Sequence, residues 1–303
     1  MNTKTAKILC TLNSDFYRDN AASFSQTRSA AWPGWSRCLD ILAENDLDLE
    51  RVSRVRGSQE QGSQSRDLGL AAEETPPEPP ISVFDLACGN LRFESFLCST
   101  FPDVDFAFHA VDNCEALVPK TPVVSFQSLD VLKVMLESAG GVSGGGDASG
   151  GTSGGASRGG GNASGGIFTA PSCDLSVSFG FLHHVPTSEF RVKLLESLIA
   201  QTHKAGFVAV SLWQFLKNEK LADKAQTTHR LALQSLGLQG LDANDYLLGW
   251  QDIPGQYRYC HSFSEAEIDQ LVESVSSSAT LISRFVSDGR TNNLNTYLVF
   301  RVK

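Results

Sequence analysis

The stretch 81–93, ISVFDLACGNLRF, sets the strictest limit on what this chain can fold into. Ile81, Val83, Phe84 and Leu86 form a short apolar run bounded by turn residues, the pattern of a strand buried on both faces of a parallel sheet. Asp85 lies near the end of that run. Ala87-Cys88-Gly89-Asn90 makes a tight turn, and Phe93, Phe96 and Leu97 follow at helical spacing. A strand, a small-residue turn and a helix N-terminus together make the usual cradle for a nucleotide, because the free N–H groups of the turn and of the first helical residues point outward from it.

Two nucleotide patterns compete for the turn. The dinucleotide fingerprint GxGxxG needs small residues at positions 87, 89 and 92, and Arg92 stands where the helix must pack closely on the strand. The S-adenosylmethionine (SAM) pattern, an acidic residue followed by x-GxGxG, uses Asp85 with Ala87, Gly89 and Leu91. Only the middle glycine is present in either alignment, so the turn alone leaves an ordinary strand–turn–helix open. The next strands favour a nucleotide. The second, 106–111, ends in Asp112, 23 residues beyond Gly89, close to the roughly twenty at which a carboxylate accepts both ribose hydroxyls. The third, 123–126, leads to Asp130, placed to meet the base and also a preferred cap for a helix over 131–137. The fourth, 173–179, ends in Phe179 and runs into Gly180-Phe181-Leu182-His183-His184. Ligands bind beyond the carboxyl ends of such strands, so the histidines are placed to face a substrate, with one of them expected to pack on the next helix, 187–203.

The remaining segments give the organisation. Residues 1–52 form an N-terminal helical cap: Phe16, Phe24, Trp32, Trp35, Leu39 and Leu42 recur at roughly helical spacing, and Pro33 suits the first turn of a second helix. Its two tryptophans read either as core anchors or as a lid with Arg28 near the substrate. Residues 53–80 end in a proline-rich run and read as a linker whose Arg51, Arg54 and Arg56 neighbourhood is either solvated or in contact with RNA. Residues 139–166 are a glycine–serine tract with nothing to bury, expected to be disordered. A fifth strand, 207–212, precedes an insertion, 214–262, with a helix over 215–236. Lys217, Lys220 and Lys224 line one stripe of that helix, either a solvated face or a basic patch. Ser264 with Glu267 is a capping box opening a helix to Val275. Strands 280–286 and 296–302 close the chain as a hairpin. The predicted class is α/β: a Rossmann-like, seven-stranded, mostly parallel sheet over 81–303 with a C-terminal antiparallel hairpin, N-terminal helices and a helical insertion after the fifth strand.

Acidic residues outnumber basic ones by 34 to 25, a net charge of −9, which excludes a general nucleic-acid binder and leaves only a local patch for any RNA contact. Seven cysteines without CxxC spacing argue against a metal site or a disulfide framework and suit a reducing cytosol, hence a cytoplasmic location. No apolar run reaches 18 residues, so no membrane contact is expected, and the first apolar stretch is too short for a signal peptide.

Four stretches carry a resemblance: Phe24-Ser25-x-x-Arg28 with Trp32-Pro33, Asp85-x-x-Cys88-Gly89-Asn90, His183-His184, and Tyr257-Arg258-Tyr259-x-His261-x-Phe263. On them the chain resembles the class I SAM-dependent methyltransferases, and more narrowly the eukaryotic wobble-uridine tRNA methyltransferases that make the methyl ester of 5-carboxymethyluridine. The resemblance implies SAM as cofactor, held by the turn Asp85, Ala87, Cys88, Gly89 and Asn90 with Asp112, Asp130 and Phe179. It implies a substrate-side role for Arg28, His184, Arg258, Tyr259 and His261. It also implies tRNA as substrate and a small zinc-containing activator subunit as partner. Leu91 and Ala87 depart from the glycine pattern, and the glycine–serine tract is foreign to it. Two alternatives stay open: a methyltransferase acting on a small molecule, and a SAM-binding scaffold without catalysis.

Overall fold

The computed structural model describes residues 1–49, 79–140, 167–239, 241–251 and 253–303. Nearly all of the expected linker and of the glycine–serine tract therefore lies outside the described residues. In chain order the elements are α1 (Thr3–Gln26), α2 (Pro33–Glu44), β1 (Ile81–Leu86), α3 (Arg92–Thr100), β2 (Phe106–Asp112), β3 (Val124–Ser128), α4 (Val131–Gly140), β4 (Cys173–Ser178), α5 (Ser188–Ala200), β5 (Thr202–Trp213), α6 (Glu219–Leu236), β6 (Asp245–Gly249), β7 (Tyr257–His261), α7 (Glu265–Ser274), β8 (Ala279–Ser287) and β9 (Asn295–Val302).

Seven strands form one sheet in the order β3-β2-β1-β4-β5-β9-β8. The first five are parallel, and β9 runs antiparallel to both β5 and β8. This is the class I methyltransferase arrangement expected from the sequence. Period-2 alternation explains why β1 is buried on both faces. Ile81 and Val83 pack with Trp35, Leu39, Phe93 and Leu97 from α2 and α3. Phe84 and Leu86 pack on the opposite face with residues of α4, α5 and α7. Alternation repeats in β5, where Phe207 and Ala209 join the first cluster and Val208, Val210 and Leu212 the second.

Three details differ from the sequence reading. Strand β5 begins five residues earlier than expected and stays paired with β4 through a register shift between Cys173 and Leu175. The helix expected over 215–236 is broken at Asn218. A single turn, Phe215–Lys217, precedes α6, and the Asn218 side chain accepts the Leu221 N–H at 3.1 Å as its cap. Lys217 is therefore off the α6 stripe and pairs with Glu265. Finally, the insertion holds a second, two-stranded sheet, β6 paired antiparallel with β7. Helix α1 lies against that small sheet through Leu9, which packs with Ala232, Leu247 and Tyr259, and against the main sheet through Ala6 and Cys10.

Candidate active site

A cavity of about 470 Å³ opens at the carboxyl ends of β1, β2 and β4, roofed by α1, the 27–32 connector and the first turn of α2. Its floor is the turn after β1. Ala87, Gly89 and Leu91 all adopt left-handed backbone, with φ of 65°, 56° and 56°. These are the three positions that the GxGxG pattern reserves for glycine, so the loop keeps that conformation although only one residue is glycine. Left-handed backbone costs an ordinary L-residue roughly 1–2 kcal/mol. Burial of Leu91 beside Cys88 and Ala110 offsets part of it. The Asp112 carboxylate ties the turn down: Oδ2 accepts the Gly89 N–H at 2.9 Å and Oδ1 the Cys114 N–H at 2.8 Å. Burial nevertheless raises its pKa. Asp130 caps the next helix and also lines the cavity. Oδ1 caps α4 through the Lys133 N–H at 3.0 Å, and Oδ2 faces the cavity and accepts from Ser14 Oγ at 3.3 Å.

The connector is held over this floor by the turn itself. Asn90 Nδ2 donates to the Arg28 carbonyl at 3.1 Å, and Arg92 donates to the Ala30 carbonyl at 2.8 Å. The Arg92 guanidinium lies 5.3 Å from the ring centroids of both Trp32 and Trp35. Trp35 is a core residue that still lines the cavity, and Phe179 packs edge-on against Phe93 at 4.9 Å beside it. Cys88 lines the cavity as a thiol, since burial and the Asp85 and Asp112 carboxylates push its pKa up.

On the far wall stand two arginines. Arg258 is buried, and Arg28 is half-buried. Neither has a carboxylate within 4 Å among the described residues, and Arg258 Nε has no hydrogen-bond partner. Arg28 sits 4.9 Å over the Phe24 ring, and Arg258 is 5.4 Å from Trp250 and 5.5 Å from Phe16. Burial, then the Arg258 charge, lowers the pKa of Arg28. The Tyr17 hydroxyl accepts from Arg258 at 3.3 Å and donates to His184 Nε2 at 2.7 Å. His184 Nδ1 carries the hydrogen, because its 2.8 Å neighbour is the Tyr259 carbonyl. That assignment leaves Nε2 as the acceptor from Tyr17. Burial, then the Arg258 charge, pushes the His184 pKa down to about 3, so the ring is neutral. Tyr17 and Asn13 were not singled out by the sequence reading. Their signal is the i, i+4 spacing on α1, with Tyr17 two turns before Phe24.

Two sequence expectations need correction. Tyr259 and His261 do not face the cavity. Alternation along β7 turns Arg258 and Cys260 one way and Tyr259 and His261 the other. The Tyr259 hydroxyl donates to Asp245 at 2.7 Å and accepts from Arg191 at 3.0 Å, and His261 Nδ1 is 2.7 Å from the same Asp245 oxygen. They are parts of a buried structural network. His183, His184 and Cys260 bring three nitrogen and sulfur donors within 4.8 Å of one another. Both nitrogens of His184 are already committed, so a metal there would have to displace either the Tyr17 or the Tyr259 bond.

No protein-family model matches the sequence, and no curated protein does. Three solved structures are among those similar to this chain. A SAM-dependent methyltransferase from Methanosarcina mazei is 15% identical, with a TM-score of 0.44, covering 74% of this chain and 93% of its own. The DhpI–SAM–HEP complex is 14% identical, with a TM-score of 0.49 and 97% of both chains covered. The N-methyltransferase NodS from Bradyrhizobium japonicum, with S-adenosyl-L-homocysteine (SAH), is 9% identical, with a TM-score of 0.40, covering 73% and 78%.

Proposed function

We propose that the chain is a SAM-dependent methyltransferase whose acceptor is a carboxylate, the carboxymethyl group of a modified wobble uridine in tRNA. The observation that carries this reading is one cavity that joins a left-handed turn at 87, 89 and 91, bonded to Asp112, with two guanidinium groups that lack carboxylate partners among the described residues. Asp85, the turn and Asp112 would hold the cofactor, which supplies an electrophilic methyl group on a sulfonium sulfur. Asp130 and Phe179 line the same space.

The rest of the chemistry belongs to the chain. A carboxylate is ionised at neutral pH, with an ordinary pKa of about 4, so no base has to remove a proton from it. Arg258 and Arg28 hold the anion, and a guanidinium fixes its two oxygens together. His184, neutral and bonded at both nitrogens, positions Tyr17 and through it Arg258. Trp32 and Trp35 help to keep water out. The motifs at 24–33 and 257–263 support tRNA as substrate, and the family resemblance carries with it a small activator subunit. The net charge of −9 favours a second reading, a small organic acid as acceptor. The test is labelled SAM offered with tRNA bearing 5-carboxymethyluridine, with unmodified tRNA and with a panel of small acids. Ester formation on the modified tRNA alone is expected. Transfer only to small acids would sink the RNA assignment.

A further inference from the structure

Asp85 and Glu94 are the most unusual pair of charges near the cavity. Asp85, on β1, is part of its wall. Glu94, on α3, stands behind it, 3% exposed, with both side-chain oxygens buried and, among the described residues, no other residue donating to either. Its neighbour is the Asp85 carboxyl, and two carboxylates have only acceptors to offer each other. An acid in the first turn of a helix often just offsets the helix dipole, but that role works at the surface and does not need full burial. The charged and titratable groups acting on the pair are Asp112 from β2, Arg92 from α3, and the thiols of Cys88 in the turn and Cys98 on α3. Arg92, the one cation of that set, directs a guanidinium N–H at the Ala30 carbonyl.

We propose that Asp85 and Glu94 share one proton in the ligand-free protein and form the seat for the ammonium end of the cofactor. Glu94 is a positioning residue: it accepts the proton that Asp85 holds and fixes that carboxyl at the cavity wall, and the proton leaves to solvent when the cation arrives. The inference rests on the SAM reading above. One proton converts two facing acceptors into a donor and an acceptor, which removes the cost of a buried dianion. Burial pushes the Glu94 carboxyl up to about 7, and burial, then Glu94, raises Asp85 well above the usual carboxylate range. The pair therefore still holds a proton in the neutral range, and a cation placed beside it takes over that proton's role.

The test is calorimetry of the whole protein with SAH, which carries the amino-acid end and cannot react, in two buffers of different ionisation enthalpy. Wild type is compared with Glu94→Gln, which keeps the shape and a donor but cannot titrate. The amino group of the ligand titrates alike against both proteins, so the difference isolates the pair. Wild type is expected to release up to about one proton more than the variant. Its affinity should rise relative to the variant by up to about tenfold per pH unit through the neutral range. Adenosine, lacking the amino-acid end, should give no such difference. SAH binding with equal proton release by both proteins overturns the inference and leaves the cofactor reading standing. Failure of SAH to bind wild type overturns both. Infrared spectra of wild type supply a check that needs no variant: a protonated-carboxyl band present without ligand and lost with SAH is expected, and a band absent in both states counts against the pair.

Discussion

Gly34 and Tyr297 approach so closely that a β-carbon on Gly34 would fall 2.3 Å from the Tyr297 ring. The contact is latched by Asp288, which accepts the Gly34 N–H at 3.0 Å on one oxygen and the Tyr297 hydroxyl at 2.5 Å on the other. Helix α2, and with it the roof of the cavity, is thereby fastened to the β8–β9 hairpin. Gly34→Ala should destabilise the protein by about 1–3 kcal/mol, the usual cost of overpacking, and weaken SAH binding as Trp32 and Trp35 shift. Urea unfolding measures the first effect and calorimetry the second. An unchanged midpoint would mean that Tyr297 has room to move.

The floor of the cavity offers substitutions of opposite sign. Ala87→Gly removes left-handed strain, against a gain in unfolded-state freedom of about 0.5–1 kcal/mol, so stability should hold or rise by up to about 1 kcal/mol. Leu91→Gly relieves the same kind of strain but deletes a buried side chain, for which about 2–5 kcal/mol is typical, and should destabilise. Thermal melts of the two variants side by side decide this. Equal losses would show that the positive φ angles carry no strain.

Asp112→Ala removes the acceptor for both Gly89 and Cys114. A hydrogen bond to a charged group contributes about 1.5–3 kcal/mol, so SAM affinity should fall by about ten- to a hundredfold. Equal affinity of wild type and variant would take Asp112 out of the site.

Arg258→Lys keeps the charge and loses the planar fork. Activity on a carboxylate acceptor should fall by about tenfold or more, with SAM affinity little changed. His184→Gln and Tyr17→Phe should each cost less, because they act on the anion through Arg258. If Tyr17→Phe matches Arg258→Lys in kcat/KM, Tyr17 touches the substrate itself.

Stability against pH should reflect two opposed groups. His184 has a folded pKa of about 3 and an ordinary one of about 6.5, so it stabilises above about pH 6.5 and that contribution is lost as the pH falls. The Glu94 carboxyl, raised to about 7 by burial, works the other way: its folded state holds the proton more tightly, so stability falls as the pH rises from about 4.5 toward 7. Denaturant midpoints between about pH 4.5 and 6.5 should therefore drop more steeply on acidification in Glu94→Gln than in wild type, and less steeply in His184→Gln. Parallel profiles for all three would rule out these assignments.

The floor of the cavity was legible in the sequence because it is local. Asp85, Gly89 and Asp112 follow from one strand–turn–helix unit and the strand after it, where spacing fixes position. The arginine wall depends on contacts such as Tyr17 to Arg258, 241 residues apart, which no window of sequence contains. Tyr259 and His261 were misread for a related reason. Without the β6–β7 pairing, a motif of five side chains looks like one cluster, whereas a strand sends alternate members to opposite sides. Glu94 was hidden because an acid in a first helical turn is ordinary on the surface, and only burial makes it unusual.

Asn13 has a consequence beyond the cavity. Its side chain accepts the Tyr259 N–H at 2.7 Å and donates to the Tyr259 carbonyl at 3.1 Å, while His184 donates to the same carbonyl. These are the bonds that a neighbouring strand would make, supplied here by side chains on the outer edge of a two-stranded sheet. An uncovered edge is a template on which another chain can add a strand. Helix α1 closes that edge, so the element that walls the cavity also guards the molecule against strand-by-strand aggregation.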